Sequence, residues 1–536
     1  MKKLLLKKSI HLIFCACIGS NSVVATNYYV SSLLGKSGNN GMSVTSPKLT
    51  IQSVAGLTHP GDTVMVMDGI YKSTSGQVLN LAPAHSGSSE KYITYKAYPG
   101  HKPKITASGN VWNAIQINAS YIILDGLELE GNNANITYAE AFASYQENIA
   151  GGTNWTKYAN FNTNGISIGG PATESKLPHH VVIRNCKVHD FPGGGISSIQ
   201  ADYTTIENNL VYNNAWYMMY AGSGISILNP YNSDEVTTYR NIVRNNICHT
   251  NKTTIPWVSG QRLSDGNGII IDVNVTGYSG GPTASQVGYK GRTLVENNVS
   301  INNGGSGIHS YLADHVDIVN NTAFNNGTVV GYPDIFTNSC KDVNIINNIM
   351  YSRTGGKCNS APGNATEVYD YNIYFNGTVA KKGAHDLVAD PQFVNRNLDL
   401  LVGDFHLKKS SPAVDSGSTV LKAENDIEGR NRPVGASIDR GAYEFDPATS
   451  TAALKLPGSS FHVFPNPATD FVSIVSQTGD QIKRIEIYSL MGKMECSFGE
   501  IQSMVAGVNI SSLSGGIYVL RIYSDLKNEE LKIIKL

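Results

Sequence analysis

The middle of the chain is written in short apolar runs punctuated by asparagine. An apolar residue, a variable one and then Asn-Asn or a near equivalent recur at Ile183-Arg184-Asn185-Cys186, Ile206-Glu207-Asn208-Asn209 and Val243-Arg244-Asn245-Asn246. The phrase returns at Val295-Glu296-Asn297-Asn298, Ile318-Val319-Asn320-Asn321 and Ile345-Ile346-Asn347-Asn348. The steps from Asn185 to Asn208 and from Asn297 to Asn320 are both 23 residues, and that from Asn320 to Asn347 is 27. A strand-built repeat in the low twenties, with no helical period, predicts one solenoid turn per repeat. The expected fold is all-β: a right-handed parallel β-helix in which each coil buries its apolar side chains against the next. Asparagine at a fixed position predicts a ladder of side-chain amides between coils, and it tolerates the left-handed backbone of a sharp bend.

A second phrase marks another strand of each coil. Gly-Ile appears at Gly165-Ile166, Gly195-Ile196, Gly224-Ile225, Gly268-Ile269 and Gly307-Ile308. If these isoleucines point inward, alternation puts Ser167, Ser197, Ser226, Ile270 and His309 in one outward column. Two residues on, Gly169, Ile199, Leu228, Asp272 and Tyr311 form the next. Two repeats are long: Asn208 to Asn245 is 37 residues and Asn245 to Asn297 is 52. Their excess is expected to leave the solenoid as loops, and insertions on one side of a repeat protein often form its binding face. These loops carry Trp216, Tyr217 and Tyr220, then Lys252, Trp257, Arg262 and Asp265, then Tyr278, Tyr289 and Arg292.

Composition narrows the class. The 536-residue chain is rich in Gly and Tyr and only 15% charged, with a formal net charge of -1. No basic excess points to nucleic acid or to a membrane surface. Residues 1–25 read as a signal peptide, with Lys2-Lys3 and Lys7-Lys8, a short apolar stretch from Ile10 to Ile18 and a cleavage site after Val23-Val24-Ala25. Cys15 and Cys17 sit in no good lipid-attachment box. Five cysteines follow at irregular spacings, Cys186, Cys248, Cys340, Cys358 and Cys496, with no zinc pattern; buried single thiols are expected, a Cys340–Cys358 disulfide being the alternative.

The solenoid is expected to span residues 26–445. Gly61-Asp62-Thr63-Val64 and Asp68-Gly69-Ile70-Tyr71 resemble the start of many secreted bacterial β-helix proteins. Ser411-Pro412-Ala413-Val414-Asp415 and Asp439-Arg440-Gly441-Ala442-Tyr443 resemble their closing segment, which would cover the last coil. A Thr-, Ser-, Ala- and Pro-rich stretch at 446–460 reads as a linker. After it, Val463-Phe464-Pro465-Asn466-Pro467, Ile487-Tyr488-Ser489-Leu490-Met491-Gly492 and Gly515-Gly516-Ile517-Tyr518-Val519-Leu520 resemble the C-terminal sorting domain of the type IX secretion system of Bacteroidota. That resemblance covers 461–536 and implies a small β-sandwich, the secretion machinery as partner, and a secreted or surface-attached protein.

The solenoid resembles the pectate-lyase-like β-helix superfamily. Gly266-Asn267-Gly268-Ile269-Ile270-Ile271-Asp272, Gly291-Arg292-Thr293-Leu294-Val295-Glu296 and Gly304-Gly305-Ser306-Gly307-Ile308-His309 are similar to alginate-lyase-type proteins. The resemblance implies β-elimination on an anionic polysaccharide, alginate ahead of pectin, by a monomer. That chemistry needs a base for the proton beside the uronate carboxylate, an acid for the leaving oxygen, and a cation on the carboxylate. The candidates are Lys252 as base with His309 as alternative, Tyr220 or Tyr217 as acid, and Arg262 or Arg292 as clamp. Trp257, Asp265, Asp272 and Tyr311 complete the expected substrate contacts. The sequence singles out no cofactor; Ca2+ is an alternative clamp, although Asp265, Asp272, Asp314 and Asp317 are scattered rather than clustered. A glycoside hydrolase would need two carboxyls ~5–9.5 Å apart. Asp265 and Asp272 would stand ~23 Å apart on an extended strand, so they are not expected to pair. A glycan-binding surface solenoid is the non-enzymatic alternative.

Overall fold

The computed structural model describes residues 25–170, 177–275, 288–398, 403–446, 461–464, 468, 470–476, 480–489, 493–525 and 528–535. The expected signal peptide and linker fall almost wholly outside these residues, as do Tyr278 and the Pro465-Asn466-Pro467 motif.

Strands from Asn27 to Val388 assemble into three parallel sheets of 11, 11 and 9 strands, here sheets A, B and C. The chain visits A, then B, then C in every coil. One coil is Asp202–Glu207 in A, Leu210–Tyr212 in B and Ile225–Leu228 in C. This is the parallel β-helix expected from the repeats. The inward residues Ile183, Ile206, Val243, Val295, Ile318 and Ile345 are fully buried in one continuous core.

The asparagine pairs divide the work at the A-to-B corner. The first member (Asn185, Asn208, Asn245, Asn297, Asn320, Asn347) takes a left-handed backbone with φ between +53° and +61°. The second points inward and builds the ladder. Asn209 donates to Asn246 at 3.0 Å, Asn246 to Asn298 at 2.9 Å, and Asn298 to Asn321, Asn321 to Asn348 and Asn348 to Asn372 each at 3.0 Å. A second ladder at the B-to-C corner runs through Asn214, Asn251, Asn303 and Asn326 and ends on Asp334.

Each rung satisfies buried backbone as well as its neighbours. The Asn298 side chain accepts from the Asn246 backbone N–H at 3.0 Å and donates to the Val243 carbonyl at 2.9 Å. Asn298→Ala is therefore expected to cost about 1–3 kcal/mol for each buried group left unpaired. Chemical denaturation reads this directly, and an unchanged midpoint would show that the ladder contributes nothing.

Sheet C carries the predicted register. Ile166, Ile196, Ile225, Ile269 and Ile308 align across it, as do Ser167, Ser197, Ser226, Ile270 and His309. The preceding glycines are dictated by close approach: a Cβ on Gly195 would lie 2.6 Å from the Gly224 carbonyl, and one on Gly224 2.7 Å from that of Gly268. Cys186, Cys248, Cys340 and Cys358 are buried free thiols, so no Cys340–Cys358 bridge exists.

The chain divides into two compact units between Val388 and Ala389. The second opens with an antiparallel pair, Phe393–Asn395 and Asp404–Leu407. A loop-rich stretch follows, held by the buried ion pair of Arg432 with Glu444. Its last part has two antiparallel sheets of three and four strands around Val472, Ile474, Ile485, Ile487, Leu520 and Ile522.

Candidate active-site groove

Both long repeats are single coils with two loops each, and the loops leave at opposite ends of sheet C. On the B-to-C side stand residues 131–163, 213–224 and 250–267; on the C-to-A side, 229–238 and the described parts of 273–291. Sheet C is thus the floor of a groove with a wall on either hand.

The first wall is one packed body. Residues 131–163 contain helices Tyr138–Ile149 and Trp155–Asn162, which the all-β expectation did not include. Their signal was present in Thr137-Tyr138-Ala139-Glu140, a capping box in which the Thr137 hydroxyl accepts from the Glu140 N–H and the Glu140 carboxylate from the Thr137 N–H. Tyr145, Tyr158 and Phe161 from the helices meet Met219 and Ile255 from the two loops, with Tyr217, Tyr220, Trp112 and Val258 packed alongside. Tyr217 and Tyr220 thus serve first to bind the loops together. The Tyr220 hydroxyl is buried without a partner among the described residues, and burial raises its pKa.

Lys252 lies at the corner where sheet B gives way to sheet C, its Nζ 4.0 Å from the centre of the Trp216 ring. It has no carboxylate partner among the described residues, and burial lowers its pKa. Trp257 and Arg262 close a tight turn through their backbones. The Trp257 ring lies over Gly260, where a Cβ would be 2.7 Å from it. Arg262 is exposed. No hydrogen bond joins Lys252, Tyr220, Arg262 and His309 to one another among the described residues.

The floor differs from expectation in two respects. His309 is 5% exposed, its ring 4.2 Å from Phe336 and 5.5 Å from Tyr332, with Nδ1 unpartnered. Burial pulls its pKa down to about 3, so it is neutral at working pH and too weak a base for the role considered for it. Asp265 and Asp272, by contrast, do interact. The chain turns at Asp265 and Gly266, both with positive φ, so the extended-strand separation does not apply. Asp265 accepts from the Asn267 amide at 3.3 Å, and burial raises its pKa to about 6. Burial raises Asp272 further, to about 8, and the charge on Asp265 adds to the rise. Tyr311 follows Asp272 in the same outward column.

Arg292 is not in the groove. It sits on sheet A, where its Nη2 donates to Asp317 at 2.7 Å and its Nη1 to Asp342 at 2.7 Å. A guanidinium committed to two carboxylates on another face cannot clamp a substrate on sheet C. Tyr289, from the second wall, is likewise buried, donating to Asp202 at 2.6 Å. That wall is fixed by Arg240 and Asp202, a fully buried ion pair. Sequence reasoning passed over the amide row on the floor: Asn164 donates to Asn113, Asn113 to Gln116 and Gln116 to Asn118.

A cluster of possible cation ligands elsewhere, Glu128, Glu130 and His189 on sheet B, is already paired with Lys104 and Lys187.

Residues 462–536 match the family described as secretion system C-terminal sorting domain. The chain therefore carries a type IX sorting domain, which directs it to the cell surface or the extracellular space. Pectate lyase L of Thermoclostridium stercorarium is 22% identical over 376 residues, 66% of this chain and 27% of that protein. The chain thus spans about a quarter of the length of that curated relative. Among solved structures, pectate lyase Pel9A is 14% identical, covering 79% of this chain and 98% of that one, with a TM-score of 0.45. The lacto-N-biosidase of Eubacterium ramulus is 17% identical over 66% of this chain and 57% of that one, TM-score 0.40. The A-module of the mannuronan C-5 epimerase AlgE4 of Azotobacter vinelandii is 16% identical over 62% and 91%, TM-score 0.31.

Proposed function

We propose that the chain is a secreted enzyme acting on a polysaccharide laid along sheet C, and that it cleaves a uronate polymer, alginate ahead of pectin, by β-elimination. The observation that carries this reading is Lys252: a half-buried amine on the groove wall, with no acidic partner among the described residues and a pKa lowered by burial. A free amine is a competent base for the acidic proton beside a uronate carboxylate. Arg262, exposed on the same wall, can meet the carboxylate, and Tyr217 is the better candidate acid for the leaving oxygen, since the Tyr220 hydroxyl is buried. Pectate lyase L, the relative named above, has a name consistent with such chemistry.

The test is ultraviolet absorbance during incubation of the mature protein with alginate, polygalacturonate, rhamnogalacturonan and glycosaminoglycans, with and without calcium or chelator. A rise on one polymer establishes elimination. New reducing ends without absorbance would overturn it in favour of hydrolysis. That second reading draws on Asp265 and Asp272, whose carboxyl pKa values burial raises to different extents, to about 6 and about 8.

The same pair makes a prediction within the lyase reading. Below its pKa of about 8, Asp272 is neutral and can donate a hydrogen bond to an anionic chain. Above that value it becomes a carboxylate and repels the chain. KM for a uronate polymer is therefore expected to climb as pH rises through about 8, while Asp272→Asn flattens the climb. Initial rates across that range decide it; a KM that climbs equally in the variant removes Asp272 from the binding surface.

A further inference from the structure

A cavity of about 550 Å³ lies away from Lys252 and Asp272, at the C-to-A corner of the early coils. Its base is formed by Ser86, by Asn118 and Tyr121, and by His179, residues that follow three successive strands of sheet C along the chain. The loop at 229–238 folds back to close it with Tyr231 and Asn232. The volume falls within the usual range for a ligand pocket.

The described lining is mainly polar and aromatic, and no Asp, Glu, Lys or Arg is among the described residues that bound it. Burial lowers the pKa of His179, which favours its neutral imidazole. A uronate, phosphate or sulfate would find no cationic side chain among these described residues, and desolvating an unpaired anion is costly. A neutral sugar ring, with apolar faces and a rim of hydroxyls, matches aromatic rings set among amide and hydroxyl groups.

The walls are also fixed in advance. The Tyr231 hydroxyl donates to the Leu177 carbonyl at 3.0 Å. The Asn232 amide donates to the Gly288 carbonyl at 3.2 Å, and its oxygen accepts from the Lys290 N–H at 2.8 Å. Two groups remain available. Asn118 accepts from Gln116 at 3.0 Å, and its own amide nitrogen makes no hydrogen bond among the described residues. His179 meets His180 through Nδ1 at 2.8 Å, which leaves Nε2 without a partner among them. Asn118 is also the last member of the amide row on sheet C, so one residue belongs to both the row and the cavity lining.

We propose that this cavity is a subsite for a neutral sugar residue of the polysaccharide, a branch or a terminal unit, held by Asn118, Tyr121, His179 and Tyr231. It rests on the reading of sheet C as a polysaccharide groove. The strand that bears Asn113 and Gln116 is four steps along sheet C from the strand that ends at Asp272, or ~19 Å at the usual strand spacing. The subsite therefore selects the chain at a distance from the reacting bond and favours a polymer that carries uncharged sugars beside its uronates.

The experiment is calorimetric titration of the mature protein with xylotriose, cellotriose and galactotriose, and with oligouronates of the same length. At least one neutral trisaccharide is expected to bind, and Asn118→Leu and Tyr231→Ala are each expected to weaken it about tenfold, 1.4 kcal/mol. If Tyr231→Ala lowers the melting temperature, Asn118→Leu alone decides. No neutral trisaccharide binding, unchanged binding in Asn118→Leu, or equal weakening of the oligouronates would each overturn the proposal. Binding is read without turnover, so the two readings fail separately: a protein that cleaves uronates but ignores neutral sugars loses the subsite only, and one that binds neutral sugars through Asn118 but cleaves nothing keeps it.

Discussion

Lys252→Met is expected to lower kcat on the cleaved uronate polymer by about 10²–10⁴-fold, the usual contribution of a positioned base, with the melting temperature unchanged. Methionine keeps the unbranched stem that packs near Trp216 and removes only the amine. Little stability is at stake, because the ammonium has no ion-pair partner among the described residues and its one noted contact is the Trp216 ring. Lysine as base also fixes a sign: burial lowers its pKa, so the free amine gains population as pH rises, and kcat should rise with it. The climb in KM assigned to Asp272 runs against this at alkaline pH, so kcat and KM must be measured separately. The hydrolase reading inverts the ranking: Asp272→Asn would then abolish turnover at every pH and Lys252→Met would leave it nearly intact. A Lys252→Met protein that retains wild-type kcat removes the lysine from the mechanism.

The coils were legible because repetition multiplies a weak local signal. One Val-Arg-Asn-Asn phrase says little, but six in register fix the period, and the period fixes which side chains stack. The two roles of the asparagines, a left-handed bend and a bond between coils, were legible too, but which member of each pair takes which role is seen only in the backbone. The groove was less legible because its chemistry lies in segments that do not repeat. Arg292 looked free in a loop, but it opens a sheet A strand beside Asp317, a partner 25 residues on that no local pattern reveals. The distance estimate for Asp265 and Asp272 assumed extended backbone through Gly266, whose positive φ ends that assumption. The helices at 138–162 were announced by a capping box, overlooked because the surrounding composition favours strands. His309 was placed correctly on the outward column, but Tyr332, which helps to bury it, comes from a loop whose path the sequence does not specify.

Arg240→Met is expected to destabilise the solenoid by about 3–5 kcal/mol, the usual result of removing one partner of a buried ion pair. Asp202 is fully buried, and its carboxylate receives the Arg240 guanidinium, the Tyr289 hydroxyl at 2.6 Å, and the Ser233 hydroxyl and N–H at 2.6 and 2.9 Å. Without Arg240 its charge remains desolvated with only neutral donors. The loss extends to the second wall, because Nη1 of Arg240 also donates to the Asp234 and Val236 carbonyls, each at 3.2 Å. The guanidinium lies between Tyr203 and Tyr289, 4.9 and 5.2 Å from their ring centres. Arg240 is therefore one of the ties that hold the wall loop carrying Tyr231 and Asn232 to the solenoid, beside the Ser233 bonds to Asp202. Arg240→Met should weaken any ligand of the cavity as well as stability, although Arg240 does not line it. The double variant Arg240→Met/Asp202→Leu separates the causes. It removes both charges, so much of the stability should return, while the loop keeps fewer anchors and ligand affinity stays low. Denaturation of the three proteins measures the first effect and calorimetry the second. A single variant within about 1 kcal/mol of wild type, the worth of an exposed pair, would mean that water reaches Asp202 and that the wall is held by other contacts.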